Sequence, residues 1–303
     1  MIGKYLFSQI SRYLMSRSAH LFIIGCLLFF AVGTHANEAV IIAVNEDIPR
    51  DYQRFLAGRD PLDVKHYSGD GARRDIIELT LLMQALRLGG FSKPVELRIE
   101  PSYLRILRGV ADGRFISSGA LMWKADIDEL HPALGASRAL LKEGEFIVGI
   151  YTTQKNHAAF NRLEPNTLKE RKVATNAQWK SDVRTLKDLG FHRITFAPNW
   201  INIVRMIEAG RAEITLAPFQ ASENMIITVG DIKLHPLQNV KVAISGTRHW
   251  PISKKHPEGK AFYDALERGL SQLEATGTIQ RAYRECGFFH PAVKDWKPLQ
   301  SHP

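Results

Sequence analysis

Apolar and polar positions along this chain switch repeatedly between two periods. AVIIAV (Ala39 to Val44) is a continuous β-rich apolar run, and the polar stretch NEDIPRDYQRF (Asn45 to Phe55) reads as a loop after it. DIIELTLLMQAL (Asp75 to Leu86) repeats its apolar positions at helical spacing until Gly89-Gly90 stops it. VELRIE (Val95 to Glu100) alternates with period two. A helix from Ser102, a plausible N-cap, sets Tyr103, Ile106, Leu107 and Val110 on one face. Gly113 breaks that helix, and Phe115 to Met122 reads as the next strand. The order β-α-β-α-β predicts a parallel sheet with helical crossovers.

A second unit of the same kind follows EFIVGIYTT (Glu145 to Thr153). Lys172 to Thr175, Arg193 to Phe196 and Glu213 to Ala217 read as strands. Ser181 to Leu189 and Trp200 to Ala209 read as the helices between them, the second with Ile203, Val204 and Ile207 inward. VKVAIS (Val240 to Ser245) returns the chain, and the amphipathic segments Gly259 to Ala275 and Ile279 to Glu285 finish it. The expected organisation is a first lobe of residues 37–149 and 241–303 and a second lobe of residues 150–240. Two extended passages join them, EFIVGIYTT outward and VKVAIS back. A cleft between such lobes is a natural ligand site, because pockets favour domain interfaces and the carboxyl ends of parallel strands.

The first 36 residues have a different pattern. Lys4, Arg12 and Arg17 occur with no acid, and LFIIGCLLFFAVG (Leu21 to Gly33) then runs without a charge. As a helix that run spans about 20 Å, short of the ~30 Å hydrocarbon core, so it suits export better than anchoring. Thr34-His35-Ala36 supplies small residues for a signal peptidase, with cleavage expected near Ala36, before Asn37, and release into the periplasm. An uncleaved anchor is the rival. Lipidation at Cys26 stays open as a second rival, but Cys26 sits within the apolar run and not at its end.

Loss of Lys4, Arg12 and Arg17 lowers the formal charge from +9 to +6, so the mature chain stays basic. No Arg/Lys block with interleaved aromatics accompanies that charge, which argues against nucleic acid as a partner. Only Cys286 survives maturation, so an intrachain disulfide is impossible and the core must supply stability. The histidines are scattered, without an HxxxH or HExxH pair or a Cys partner, and neither a GxSxG elbow nor a Walker loop occurs. No metal and no cofactor is expected.

Three segments carry a family resemblance. SYLRILRGVADGRFISSGALMW is similar to a helix that ends in a Gly-Arg step before a strand, MIEAGRAEITLAPF (Met206 to Phe219) to its counterpart in a second lobe, and ALERGLSQLEATGTIQRAYRECG (Ala265 to Gly287) to a closing helical pattern. In order and spacing they resemble the bacterial extracellular solute-binding proteins of family 3, which serve polar amino acids, over about Val40 to Phe288. The resemblance implies an α/β, two-lobed type II periplasmic binding fold with a central mixed, mostly parallel sheet in each lobe and two hinge strands. It also implies a monomer that is not an enzyme. The sequence departs from the family pattern after the third strand, where amino-acid binders carry a Thr and then an Arg that clamps the ligand carboxylate. SSGALMWKADIDELHP (Ser117 to Pro132) has neither, and Lys124, the only cation there, is a poorer fork for a carboxylate.

Candidate ligand contacts follow from the strand ends. Glu46 and Asp47 could accept from a cation, and Tyr52 or Phe55 could form an apolar wall; a solvated loop with one packed aromatic is the plainer reading. Ser117, Ser118 and Trp123 offer hydroxyls and a stacking face, with Trp123 as ordinary core the alternative. Asn176, Gln178 and Ser181 lie between a strand and a helix, where free N–H groups favour an anion; simple N-capping competes. Asn199, Trp200, Pro218, Phe219 and Gln220 stand after the next two strands. Arg73 and Arg74 precede a helix, where the dipole does not favour them, so a surface role is their default, with anion binding the sharper alternative.

Two functions fit. In the first, a small polar solute binds between the lobes, the hinge closes, and an ABC permease or a membrane sensor recognises the closed form. In the second, the same fold is a periplasmic enzyme resembling the cyclohexadienyl dehydratases. A cleft carboxylate of strongly raised pKa beside a proton donor separates them, with Glu46 and Glu223 the acids to test.

Overall fold

The structure, a computed structural model, describes residues 38–300; the expected signal, its cleavage site and Cys26 lie outside them. In chain order the first elements are β1 (Val40–Val44), α1 (Ile48–Leu56), α2 (Arg74–Leu88), β2 (Val95–Ile99), α3 (Tyr103–Ala111), β3 (Ser117–Ser118), β4 (Met122–Trp123), α4 (Lys124–Asp128) and β5 (Leu134–Ala136). Next come β6 (Ile147–Thr153), α5 (Gln154–Phe160), β7 (Val173–Thr175), α6 (Lys180–Asp188), β8 (Ile194–Phe196), α7 (Trp200–Glu208), β9 (Ile214–Pro218), β10 (Ile227–Val229), β11 (Ile232–Pro236) and β12 (Val240–Ala243). β13 (Arg248–His249), β14 (Pro251–Ser253), α8 (Gly259–Ala275), α9 (Thr278–Glu285) and β15 (Lys297–Pro298) complete the chain.

Two sheets share one plan. In the first, β1 pairs in parallel with β2 and β3, and antiparallel β14 follows, giving the order β2-β1-β3-β14-β5. In the second, β7 pairs in parallel with β8 and β9, and antiparallel β6 takes the place of β14. Each parallel pair needs a crossover, and α2, α3, α6 and α7 supply them. Ile203, Val204 and Ile207 of α7 are buried, as their spacing predicts. The outward passage β6 and the returning β12 pair antiparallel, Val242 with Val148 and Ala243 with Ile147, so the connections between lobes run side by side.

α2 is buried nearly all round, from Ile76 and Ile77 to Ala85 and Leu86, because other helices cover the face turned from the sheet. It crosses α8 at backbone contact: a Cβ on Gly269 would stand 1.8 Å from the Ala85 carbonyl oxygen, and one on Gly89 1.8 Å from that of Ala265.

The structure departs from the sequence reading at four points. The expected loop after β1 is largely the helix α1, with Pro49 in its first turn, where its fixed φ fits, and Ile48, Tyr52 and Phe55 buried on one face. The interleaved Arg and Asp residues hide that spacing in the sequence. The expected strand from Phe115 to Met122 is divided: the chain leaves the sheet after Ser118, and Met122–Trp123 pairs with β13 instead. The hairpin of β10 and β11 and the helix α5 had no counterpart in the sequence reading. In addition, the segment after Phe289, which the reading grouped with the first lobe, lies on the second: β15 pairs with β12, and Trp296 packs edge-on against Phe219 at 5.5 Å.

Candidate functional site

A cavity of about 780 Å³ lies between the lobes. It forms where parallel strands end and helices begin: Val44 and Ser118 reach it from the first sheet, and Pro218 from the second. Trp179 and Trp200, at the starts of α6 and α7, add aromatic wall from the second lobe.

The deep end is built on one ring. Phe146, just before β6, carries the guanidinium of Arg74 at 5.4 Å and that of Arg248 at 4.8 Å; Arg248 also lies over Trp123 at 4.7 Å. β13–β4 pairing holds Arg248 opposite Trp123, which fixes the stack. Arg74 donates to Glu78 at 2.6 Å, one turn along α2, and the fully buried Glu78 also accepts from the Leu121 N–H at 2.9 Å. Arg248 is 7 % exposed and donates to the Leu121 carbonyl, yet it has no ion pair among the described residues. The Nε atoms of both arginines are buried without a hydrogen-bond partner among the described residues. Burial, and then the charge of Arg74, presses Arg248 below the ordinary guanidinium value. Arg74 is raised: burial opposes its charge, and Glu78 and Asp75 outweigh that.

From the second lobe, Asp182 in the first turn of α6 lines the same cavity. Burial pushes its carboxyl up to about 6, while Arg248 and Arg74 pull in the other direction. A carboxyl and two guanidinium groups therefore line one space from opposite lobes. That arrangement suits a ligand with an anionic group for the arginines and a cationic group for the carboxylate.

Nearer the mouth, Arg73 is shared by three carboxylates: Asp47 at 2.8 Å, Asp75 at 2.8 Å, and Asp51. Arg50 and Arg54 also bond Asp51, and Arg54 bonds Asp70 at 2.9 Å. Burial raises Asp47 against the pull of Arg73, with Asp75 and Asp51 adding to the rise. This rim is an internally compensated network. Tyr103 supports the wall beside it, donating to Asp126 at 2.7 Å and accepting from the Trp123 N–H at 3.2 Å.

Of the residues anticipated from the sequence, Asp47, Ser118, Trp123, Trp200, Pro218 and Gln220 line the cavity. Ser118 donates to the Ala120 carbonyl at 2.6 Å and Asp47 is held by Arg73. The others lie elsewhere, for identifiable reasons. Glu46 is exposed outside the cavity, because α1 turns the chain away. Tyr52 is on the core face of α1, and Ser117 faces inward with no exposed surface, its hydroxyl on the Ser118 carbonyl at 3.3 Å. Lys124 points out to an ion pair with Asp128, one turn along α4, at 2.6 Å. Asn176 ties its loop to the one after β8, donating to the Pro198 carbonyl at 2.7 Å, and Asn199 caps α7 through the Asn202 N–H at 2.9 Å. Gln178 accepts from the Leu104 N–H of the other lobe at 3.2 Å. Phe219 is fully buried in the second lobe's core.

Arg248, Phe146, Trp179 and Asp182 were not anticipated, and Arg73 and Arg74, given a surface role by default with anion binding as the alternative, stand in the cavity wall. Glu78 offered a signal for Arg74, since a lone acid inside an apolar helix needs a partner, and Arg74 precedes it by one helical turn. Arg248 sits in a two-residue strand and had no local signal.

No protein-family model matches the chain, and no curated protein does. Solved structures do. The periplasmic VFT2 domain of BvgS from Bordetella pertussis shares 14 % identity at a TM-score of 0.51, over 81 % of this chain and 93 % of that one. AbpA, an amino acid ABC transporter substrate-binding protein from Streptococcus pneumoniae bound to L-arginine, shares 14 % at 0.52, over 80 % and 92 %. The ligand-binding core of GluR0 from Nostoc punctiforme, in complex with L-glutamate, shares 13 % at 0.51, over 83 % and 100 %. With the paired sheets and double connection above, these similarities give the chain the two-lobed type II periplasmic binding fold.

Proposed function

We propose that this chain is a solute receptor of the periplasm, exported by a signal that ends near Ala36. It captures a small amphoteric solute between its lobes and offers the closed form to a membrane partner, an ABC-type permease in the first instance. The observation that carries this reading is Arg248, buried and without an ion pair among the described residues, lining the same cavity as Asp182 of the opposite lobe. Only a ligand that contacts both lobes can favour the closed arrangement over the open one. A carboxylate on Arg248 and Arg74 with an amine toward Asp182 meets that requirement. The clamping arginine absent after the third strand would be replaced by arginines from α2 and β13, so an amino-acid-like ligand fits this cavity despite the altered motif.

The test is a thermal-shift screen of the mature protein against amino acids, polyamines, organic acids and short glycans. A ligand at 100 times its dissociation constant stabilises by about 2.7 kcal/mol. Compounds with both a carboxylate and an amine are expected to raise the melting temperature, and Arg248→Met to abolish that rise. A response confined to polyamines or glycans would refute the reading.

One observation supports the enzymatic alternative. Glu46 and Glu223 do not line the cavity, but Asp182 does, with a carboxyl near 6, a value suited to general acid work. Consumption of a cyclohexadienyl acid by the wild-type protein and not by Asp182→Asn would favour catalysis. Retained binding without turnover favours the receptor.

A further inference from the structure

The chain connects its lobes more than twice. After α9 it leaves the first lobe at Gly287, where φ is +81° and a Cβ would stand 2.2 Å from the Ala221 backbone nitrogen, just beyond β9. It then binds the second lobe along its length. Val293 enters that lobe's core, Trp296 packs on Phe219, and β15 pairs in parallel with β12, Val240 with Lys297 and Lys241 with Pro298. Two lysines grip its backbone: Lys241 Nζ donates to the carbonyls of Val293 and Lys294, each at 2.8 Å, and Lys169 Nζ, 1 % exposed, donates to that of Gln300 at 2.7 Å.

We propose that residues 287–300 are a strap, a third interlobe connection that limits how far the cleft opens. β12 is one of the two hinge strands, so a segment bonded along it stiffens the element that must bend. A two-strand hinge bends through a few backbone torsions. A third segment fastened on both sides must also shear its contacts. The root of the strap reaches the ligand site as well: Phe288 meets Phe146 at 5.3 Å, and Phe146 carries both cavity arginines. Opening the strap therefore loosens the ring on which Arg74 and Arg248 stand.

The inference rests on the hinge-closing reading, but its test needs no ligand. Spin labels at Arg108→Cys on α3 and Lys187→Cys on α6, both exposed, report the interlobe distance in the full mature chain by double electron–electron resonance; Cys286 is buried and stays unlabelled. Trp296→Ala and, separately, Lys241→Met loosen the strap without altering the cavity wall. The expected result is a broader distribution shifted to longer distances in both variants, at an unchanged far-ultraviolet dichroism spectrum. Hydrogen exchange of the unmutated protein is the second measurement, with the amides of Lys297 and Leu299 protected like those of β12. Unchanged distances in the folded variants, or rapid exchange at those amides, would overturn the strap. A failed ligand screen with these results intact would overturn the receptor reading instead.

Discussion

Gln178, ahead of α6, accepts a hydrogen bond across the cleft from the N–H of Leu104, in the first turn of α3, at 3.2 Å. Helix α3 begins with N–H groups that lack an intrahelical partner. Ser102 accepts from Arg105 within its own lobe, while the neighbouring donor is satisfied from the other lobe. Lys180, two residues on, pairs with Glu129 of the first lobe. Residues 178–180 thus clasp the mouth and present Trp179 to the cavity between the two contacts.

The clasp is expected to add to ligand retention and little to folding. One net hydrogen bond contributes about 1 kcal/mol, so Gln178→Ala should weaken solute binding roughly fivefold by calorimetry. Lys180 and Glu129 are both half exposed, so their pair contributes less, and Lys180→Ala should change affinity by under about threefold. Equal losses from the two substitutions would show that charge, and not the Leu104 bond, holds the mouth.

Arg248 is predicted to be costly to the empty protein and necessary to the loaded one. Its charge is buried with no carboxylate partner among the described residues, and such an ion costs the fold several kcal/mol, so a hydrophobe of similar length is expected to be neutral or stabilising in its place. Contacts with Trp123, Phe146 and the Leu121 carbonyl offset part of that gain. Arg248→Met should therefore unfold at the same or higher urea concentration than the unmutated chain while losing ligand-induced stabilisation. A loss of more than about 2 kcal/mol would mean the guanidinium is a structural member of the core.

These residues show what the sequence disclosed and what it withheld. Both lobes were legible, because the switch from period two to period 3.6 recurs at each crossover and a parallel sheet admits few other connections. The site was legible only where strand ends decide it, as at Ser118, Trp123 and Trp200. Arg74 and Arg248 come together through pairing of two-residue strands and packing on Phe146, neither of which has a local periodicity. Ser117 and Phe219 misled for a related reason. They stand near the right strand ends, but side chains alternate along a strand, and the burial that decides which face looks into the cleft comes from the other lobe.

Helix contact sets a structural prediction independent of ligand. A methyl group on Gly269 would overlap the backbone of Ala85, and neither α2 nor α8 can move away without separating from the sheet or from α9. Overpacking of this kind costs about 1–3 kcal/mol. Gly269→Ala should lower the denaturation midpoint by that amount. Gln272→Ala, one turn on and exposed, should change it by less than about 0.5 kcal/mol. Comparable stabilities for the two would contradict the close crossing.

Asp182 gives the protein a pH dependence of defined sign. Its folded-state pKa is raised from 3.8 to about 6, so between those values the native chain binds more protons than the unfolded one. Stability from this group is complete below pH 3.8, declines as pH rises toward 6, and is level above that. The whole cost at pH 7 is about 3 kcal/mol at most, from ~1.4 kcal/mol for each unit. Asp182→Asn removes it. The substitution also gives up a favourable charge at the α6 N-terminus, worth about 0.3–1 kcal/mol, which is the smaller effect. The variant should therefore be more stable than the unmutated protein at pH 7, with the gap closing by pH 4 in urea melts. Binding should run in the opposite sense, because an amine is attracted only by the ionised carboxylate: affinity of the unmutated protein should fall as pH drops through about 6, and that of Asp182→Asn should be low and flat. A pH-independent affinity in the unmutated protein would remove Asp182 from the ligand site.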